Sequence, residues 1–497
     1  MGDKLFIHTA KAVLAGFLAL SLMACPLPLL AEEPALGVLA GSGIPEKADG
    51  LPEEAGFNTP YGLAVDSQGR IYVADCYNNS IRVIADGMVS TVAGSIRGTD
   101  LYGFPLGGLL DGDADKAVFK KPRAVVVDGQ GTIYVADTGN NVIRKISKGK
   151  VTTYAGTGKA GFRNGSVREA QFNAPGGLAL DKAGNLYVAD TLNNVIRKIS
   201  TQGLVTTYAG KNTGEAGYRD GSLGEAVFNE PAALAMDSQD NLYIVDSGNQ
   251  LIRKADKDRV ETVAGTQGVQ LSGTNYIQGS FRDGSGTEAA FNFPKGITVL
   301  ENGTLIIADT WNSRIRAVLS NGRVITLVGT GENGKAPGPL YQAVLGSPAG
   351  VVYYNKNLYI ADADNNLIWQ MPFNPAESKA LPNFAPPSEE VQIWVNGVRL
   401  EPDANNKPYI QEGRTIVPLR DFCEKLGYRV DWTADGTITI TKGNWQKVFT
   451  ALDPNLKNNN AILWQVCDTW PRIWVIKWSG CPSTGLLSLR IVRGWNK

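Results

Sequence analysis

Short runs of alternating apolar and polar residues, broken by turn residues, recur along most of this chain. Residues 177–181 ("GLALD"), 185–190 ("NLYVAD"), 194–199 ("NVIRKI") and 204–210 ("LVTTYAG") form one such group. These runs are β-branched or aromatic and are divided by Gly, Asn and Ser, which predicts four short antiparallel strands. The second and third runs belong to a stretch that occurs six times. "YVADCYNNSIRV" begins at Tyr72, "YVADTGNNVIRK" at Tyr134, "YVADTLNNVIRK" at Tyr187, "YIVDSGNQLIRK" at Tyr243, "IIADTWNSRIRA" at Ile306 and "YIADADNNLIWQ" at Tyr359. Copies at a regular period are the mark of a repeat architecture, and four strands repeated around an axis predict a six-bladed β-propeller.

A large apolar residue leads into each copy. Phe57, Phe119, Phe172, Phe228 and Phe291 precede the repeated Asp at constant distance, with Leu345 one residue nearer in the last copy. Pro follows each of these leading residues, and Ala and Gly precede them in register. Length varies between the "AG" that ends one unit and the Gly before the next leading residue, as expected of a surface loop on a constant frame. The fourth strand recurs at Val89, Val151, Val205, Val260 and Val324 but is missing after the sixth copy. Residues 36–41, "LGVLAG", supply a matching segment at the other end of the chain. We expect them to complete the last blade, closing the ring and covering two exposed edges.

The unit "FNAPGGLALDKAGNLYVADTLNNVIRKIS" resembles the NHL repeat, and residues 35–371 resemble a six-bladed NHL propeller. After a Pro-rich stretch at 372–390, read as a linker, "GRTIVPLRDFCEKLGYRVDW" (413–432) resembles the stalk domain named after the copper amine oxidase N-terminal region. In this tail Val391 to Leu400 reads as a hairpin turning at Asn396-Gly397. Leu419, Phe422, Cys423 and Leu426 fall at the spacing of a short helix starting at Pro418. The resemblance fades after about residue 442. The expected fold is therefore all-β: a six-bladed NHL β-propeller closed by an N-terminal strand (35–371), plus a small α+β C-terminal stalk domain (391–497). The resemblance implies that this tail is an appendage common in exported Gram-positive proteins rather than a copper site.

Composition then narrows the function. Lys4 and Lys11 precede an apolar run that breaks at Pro26 and Pro28, the pattern of an export signal over residues 1–31. Two processing routes compete: cleavage after Ala31, or a lipoprotein box ending at Cys25, which would carry a lipid anchor. No later stretch reaches the length needed for a transmembrane helix. Removing residues 1–31 takes two Lys and one Asp, leaving 46 basic and 47 acidic residues. A near-neutral exported chain is a poor nucleic-acid binder. The sequence has one His, His8, inside the signal. A mature chain without imidazole has no His-ligated metal, His general base or Ser–His triad. Cys467 and Cys481 are candidates for a disulfide, with Cys76 and Cys423 leaving the pairing open.

Asp75, Asp137, Asp190, Asp246, Asp309 and Asp362, with Arg82, Arg144, Arg197, Arg253 and Arg316, occur in nearly every unit. They read as a structural joint with inter-blade hydrogen bonds rather than a site. "GTGKAG" (156–161) satisfies a dinucleotide pattern but has no helix after it. "DGDAD" (111–115) alternates carboxylates like a calcium loop but lacks its Gly and closing Glu. No cofactor is expected. The second-to-third strand turns and the variable loops share one face, which should carry Tyr77, Trp311, Phe162, Arg163, Tyr218, Arg219, Phe281 and Arg282. Aromatic and Arg side chains are the composition of binding anchors, although these aromatics could instead staple their own loops. The reading is a non-catalytic binding or scaffold protein, secreted or at the cell surface, that recognises a protein or carbohydrate at the envelope. The alternatives are a calcium-dependent, lactonase-like propeller hydrolase and a structural adhesion protein.

Overall fold

The computed structural model describes residues 34–101 and 105–375, and from residue 392 onward the backbone of the strands. Successive units fold into six antiparallel sheets, blades 1 to 6, whose innermost strands are Pro60–Val65, Ala124–Val127, Pro175–Leu180, Pro231–Met236, Gly296–Val299 and Pro348–Tyr354. In blade 3 the next strands outward are Leu186–Asp190, Val195–Ile199 and Leu204–Ala209, paired in order. The innermost strands touch their neighbours all the way round, blade 6 against blade 1 included. They approach so closely that only the smallest residues fit between them. A Cβ on Gly62 would lie 2.5 Å from the Arg123 carbonyl oxygen, and one on Gly296 2.5 Å from that of Ala349.

The ring closes with the segment expected from the sequence. Ala35–Ala40 lies antiparallel to Leu367–Pro372, with Gly37 opposite Gln370 and Val38 opposite Trp369. It is the outer strand of blade 6, and Leu36 is only 1% exposed within that blade's apolar core. Phe373, just past the strand, is also buried there, so the blade reaches into the stretch read as linker.

Between outer strand and next blade the chain crosses one end of the ring. It first bonds the rim of the blade it is about to form, as Gly112–Asp113 does with Lys150 and Val151. It then runs inward past the leading Phe to the axis. Each of these rings, from Phe57 to Phe291, is buried in an apolar cluster between adjacent blades. Phe and Leu supply the large apolar area there, and β-branched residues pave the pleated faces.

In the tail, Gln392–Val395 pairs antiparallel with Val398–Leu400, as expected of the hairpin, while Asn396 and Gly397 lie outside the described residues. Arg429–Trp432, Ile438–Lys442 and Trp445–Phe449 form a three-stranded sheet. Pro418, expected to start a helix, instead ends the strand Arg414–Pro418; the rest of that helix (419–426), the expected export signal with Cys25, and Cys423, Cys467 and Cys481 lie outside the described residues.

Candidate functional site

The recurrent Asp–Asn–Arg set forms a buried joint. In blade 2 the Asp137 Oδ1 accepts from the Lys120 amide at 2.7 Å; its Oδ2 accepts from Asn140 Nδ2 at 2.8 Å and Arg144 Nη1 at 2.9 Å. Arg144 also donates to the Val118 and Leu110 carbonyls and to Asp111 Oδ1, while its guanidinium lies 4.8 Å from the Phe119 ring centre. The Arg therefore fastens the incoming crossover to its own blade. The same pattern holds Arg82, Arg197, Arg253 and Arg316 against Asp75, Asp190, Asp246 and Asp309. Burial pushes the Asp75 and Asp137 carboxyls up to about 6 against the pull of their Arg partners. Blade 6 departs from this: Trp369 replaces Arg, and its Nε1 donates to Asp362 Oδ2 at 2.8 Å.

Inter-blade bonding, expected of the Arg, is instead carried by turn side chains: Thr138, Thr191 and Thr310 donate to the Pro175, Pro231 and Pro348 carbonyls of the following blade, and in five of the six turns the second of the paired polar residues is an amide that clamps the next blade. Asn79, Asn141, Asn194 and Gln250 accept from the amides of Lys121, Ala174, Glu230 and Phe293 on the following blade, and Asn366 accepts from Thr59 of blade 1. All five of these donors have φ between 44° and 55°, a left-handed conformation unfavourable for any residue but Gly. The amide clamp holds that strain in place.

Most of the loop residues singled out in the sequence serve the same joint. Phe162 lies over Arg197 at 4.9 Å, Tyr218 over Arg253 at 4.9 Å, and Phe281 over Arg316 at 4.7 Å. These rings are lids on buried guanidiniums and staple their own loops. Arg219 pairs with Glu225, and Arg282 donates to the Glu288 carbonyl; the Arg163 carbonyl accepts from Arg197. Two of the three "DGDAD" carboxylates are occupied by cations: Asp111 by Arg144, Asp113 by Lys116 and Lys150. Among the described residues no three His, Cys, Asp or Glu side chains converge as metal ligands.

The residues that do not repeat gather at the axis. The inner strands line a cavity of about 330 Å³. At its mouth, on the face of the turns, the residue after each repeated Pro is Tyr61, Arg123, Gly176, Ala232, Lys295 and Ala349 in blade order. Arg123 and Lys295 stand on blades 2 and 5, opposite each other in a six-fold ring, while Gly and Ala on blades 3, 4 and 6 leave the opening clear. Among the described residues no carboxylate lies within ion-pair distance of either cation. Burial, with the Arg123 charge added, lowers the Lys295 ammonium to about 8, while Glu230 opposes that shift.

Aromatic rings surround these charges. The Arg123 guanidinium sits 5.3 Å from the Tyr61 ring centre, and Lys295 Nζ 5.6 Å from that of Phe293. Phe293 contacts Trp311 at 4.4 Å between ring centres and Tyr276 at 5.7 Å. Trp311 is 64% exposed, so its ring remains open to solvent on one side. Tyr276 comes from the longest crossover, which is folded over the blade 4 turn by bonds from Asn229 and Gln250. Its hydroxyl donates to Glu230 at 2.5 Å, and that bond, with burial, pushes the phenol up to about 12. Of the residues expected on this face, Trp311 joins the cluster, and Tyr77, 36% exposed, lies under the Lys121 ammonium at 4.9 Å. Cys76 is buried beside Arg123, and burial raises its thiol to about 11.

Comparison with known proteins agrees with this architecture. The NHL repeat profile matches residues 57–84 and 291–318, the Teneurin NHL domain profile residues 156–278, and the copper amine oxidase N-terminal domain profile residues 394–469. The last match extends beyond residue 442, where the resemblance was expected to fade. NHL repeat-containing protein 2 of Bos taurus is 31% identical over 338 residues, covering 60% of this chain and 44% of the relative. Protein SUPPRESSOR OF QUENCHING 1, chloroplastic, of Arabidopsis thaliana is 30% identical over 298 residues, covering 56% of this chain and 27% of that one. The matches thus span less than half the length of these relatives. Among solved structures, a Bacteroides thetaiotaomicron protein of unknown function superposes with a TM-score of 0.51 at 19% identity, covering 68% of this chain and 76% of that one. An auxiliary nutrient binding protein from the same organism gives 0.51 at 16% identity with the same coverage. These two likenesses establish the fold alone. The chain carries NHL repeats in a six-bladed propeller, followed by a copper amine oxidase N-terminal domain match.

Proposed function

We propose that this chain is an exported, non-catalytic binding protein that captures a glycan or protein ligand at the cell envelope through the turn face of its propeller. The observation that carries this reading is the axial mouth, lined by Arg123 and Lys295, the only two cations of the post-Pro positions, with Lys295 against Phe293 and Phe293 against the exposed Trp311. Everything that repeats is consumed by the frame, and a ligand site needs residues that do not repeat. The aromatic and Arg composition is that of recognition surfaces. An NHL propeller of this kind fits a binding or scaffold role, with the tail as a module joining it to other envelope components. A calcium-dependent hydrolase would need converging carboxylates where this mouth presents Arg123 and Lys295.

The test is capture from envelope fractions by the immobilised full chain. Trp311→Ala combined with Lys295→Gln should abolish capture without changing the melting temperature. Undiminished capture by that variant would overturn the choice of face.

A further inference from the structure

We propose that the axial mouth binds a carboxylate-bearing sugar, a hexuronate unit of an acidic glycan, with Arg123 and Lys295 on its carboxylate and Trp311 beneath its ring. This rests on the binding function above and specifies its ligand class.

Three features argue for it. The first is charge. Arg123 and Lys295 stand on opposite inner strands and line one opening, and the Glu230 charge acts on Lys295. Two positive charges and one negative leave a net charge of one, matching a monoanionic carboxylate better than a dianionic phosphate. The planar Arg fork suits the two oxygens of a carboxylate, with Lys as a point charge opposite.

The second is the aromatic wall. Trp311 packs against Phe293, the ring that lies against Lys295, and its remaining surface is open to solvent. A flat, polarised ring with one dry and one exposed side is the surface on which the C–H face of a pyranose stacks. Tyr61 supports Arg123 from blade 1 in the same way that Phe293 supports Lys295 on blade 5.

The third is hydroxyl recognition. Glu230 takes the Tyr276 hydroxyl on Oε1. Its Oε2 makes no hydrogen bond to another described residue, leaving an acceptor for ligand hydroxyl donors. An aromatic carboxylate without hydroxyls would leave it unused, whereas a sugar would not. The left-handed backbone at Glu230 and Phe293, held by Asn194 and Gln250 of the preceding blades, fixes both groups before any ligand arrives, which lowers the ordering entropy of binding.

The experiment is calorimetry on the full chain with a hexuronate oligosaccharide, its carboxyl-reduced neutral counterpart, an acidic peptide and inorganic phosphate. The expected result is binding of the uronate, with affinity about tenfold or more weaker for the reduced sugar. Arg123→Gln and Lys295→Gln should each weaken uronate binding comparably with unchanged melting, and Trp311→Ala should weaken it through the ring. Lys295→Arg, which keeps the charge, should retain most of the affinity. Equal affinity for the reduced sugar, or preference for phosphate or the peptide, would overturn the ligand class. If uronates fail to bind while envelope capture still depends on Trp311 and Lys295, the ligand class falls and the binding function stands. If capture is also indifferent to them, both fall.

Discussion

The exceptional blade offers a direct test of what the buried Asp does. In blades 1 to 5 the carboxylate faces a fully buried Arg; in blade 6 Asp362 accepts only from neutral donors: the amides of Gly346 and Ser347, Asn365 Nδ2 and Trp369 Nε1. Asp137→Asn and Asp362→Asn are the same change in these two settings. In blade 2 the new amide nitrogen would face two donors, Asn140 and Arg144, and would leave the buried guanidinium without its inner counter-ion. Breaking one side of a buried pair costs about 3–5 kcal/mol, and the bond from Arg144 to the half-exposed Asp111 places this case at the lower end. In blade 6 no cation is stranded. One charge-assisted bond weakens, about 1–2 kcal/mol, and the relief of burying an unpaired charge offsets part of it. At roughly 2 °C per kcal/mol for a large domain, scanning calorimetry at pH 7 should show Asp137→Asn melting about 6 °C or more below wild type, with Asp362→Asn within about 4 °C. Equal losses, or a larger loss in blade 6, would refute the claim that the Arg makes the carboxylate indispensable.

Further outcomes follow from the same geometry. Leu36→Ala should lower stability by about 2–5 kcal/mol, the range for a buried Leu, and deleting residues 36–41 should produce aggregation visible by light scattering; a deletion variant with wild-type melting would refute the closure. All six joint carboxyls are shifted upward by burial, Asp75 and Asp137 to about 6. At Asp362, where no cation would be stranded, the native state holds its proton above the unfolded value near 4, so this group favours folding toward acidic pH and loses that contribution as pH rises through its folded value. Melting temperature should therefore be at least as high at pH 5 as at pH 7.5, and a steady rise over that range would contradict the sign. Gly62→Ala places a Cβ against the Arg123 backbone and should destabilise the ring by more than the about 1 kcal/mol gained from removing a glycine's freedom; a neutral melting curve would refute the close approach. Anion binding at the mouth should weaken as pH rises through about 8, where Lys295 gives up its proton with Arg123 and Glu230 facing it; Lys295→Arg should remove that dependence.

The frame is legible in the sequence because it repeats. Period-two runs, turn residues at fixed offsets and a missing fourth strand are enough to place "LGVLAG" on the last blade, since each records a constraint that every blade must meet. The site is much less legible. Phe162, Tyr218 and Phe281 resemble anchors because aromatic and Arg are adjacent, but such adjacency also describes a ring packed on a guanidinium from a distant strand. Tyr61, Arg123 and Lys295 escape that reasoning although their signal is present. Aligning the copies on the repeated Pro shows two columns that do not repeat: Thr59, Lys121, Ala174, Glu230, Phe293 and Ser347, then Tyr61, Arg123, Gly176, Ala232, Lys295 and Ala349. Variation inside an otherwise constant unit, at the strand end nearest the axis, marks positions the frame leaves free. Tyr276 carries no such signal, because it lies in an insertion with no counterpart in the other copies.

The closing strand also determines how the molecule must be assembled. Ala35–Ala40 finds its partner only after all six units have been made, and the Asn366 clamp on Thr59 spans 307 residues of sequence. Contacts of such separation form late, because a long loop must close before they return any energy. Until then the first five blades form an open arc whose terminal edges present unpaired backbone to any neighbouring chain. Ring closure is therefore the step at which folding competes with self-association, and slowing synthesis or holding the arc apart from its copies should raise the yield of closed propeller.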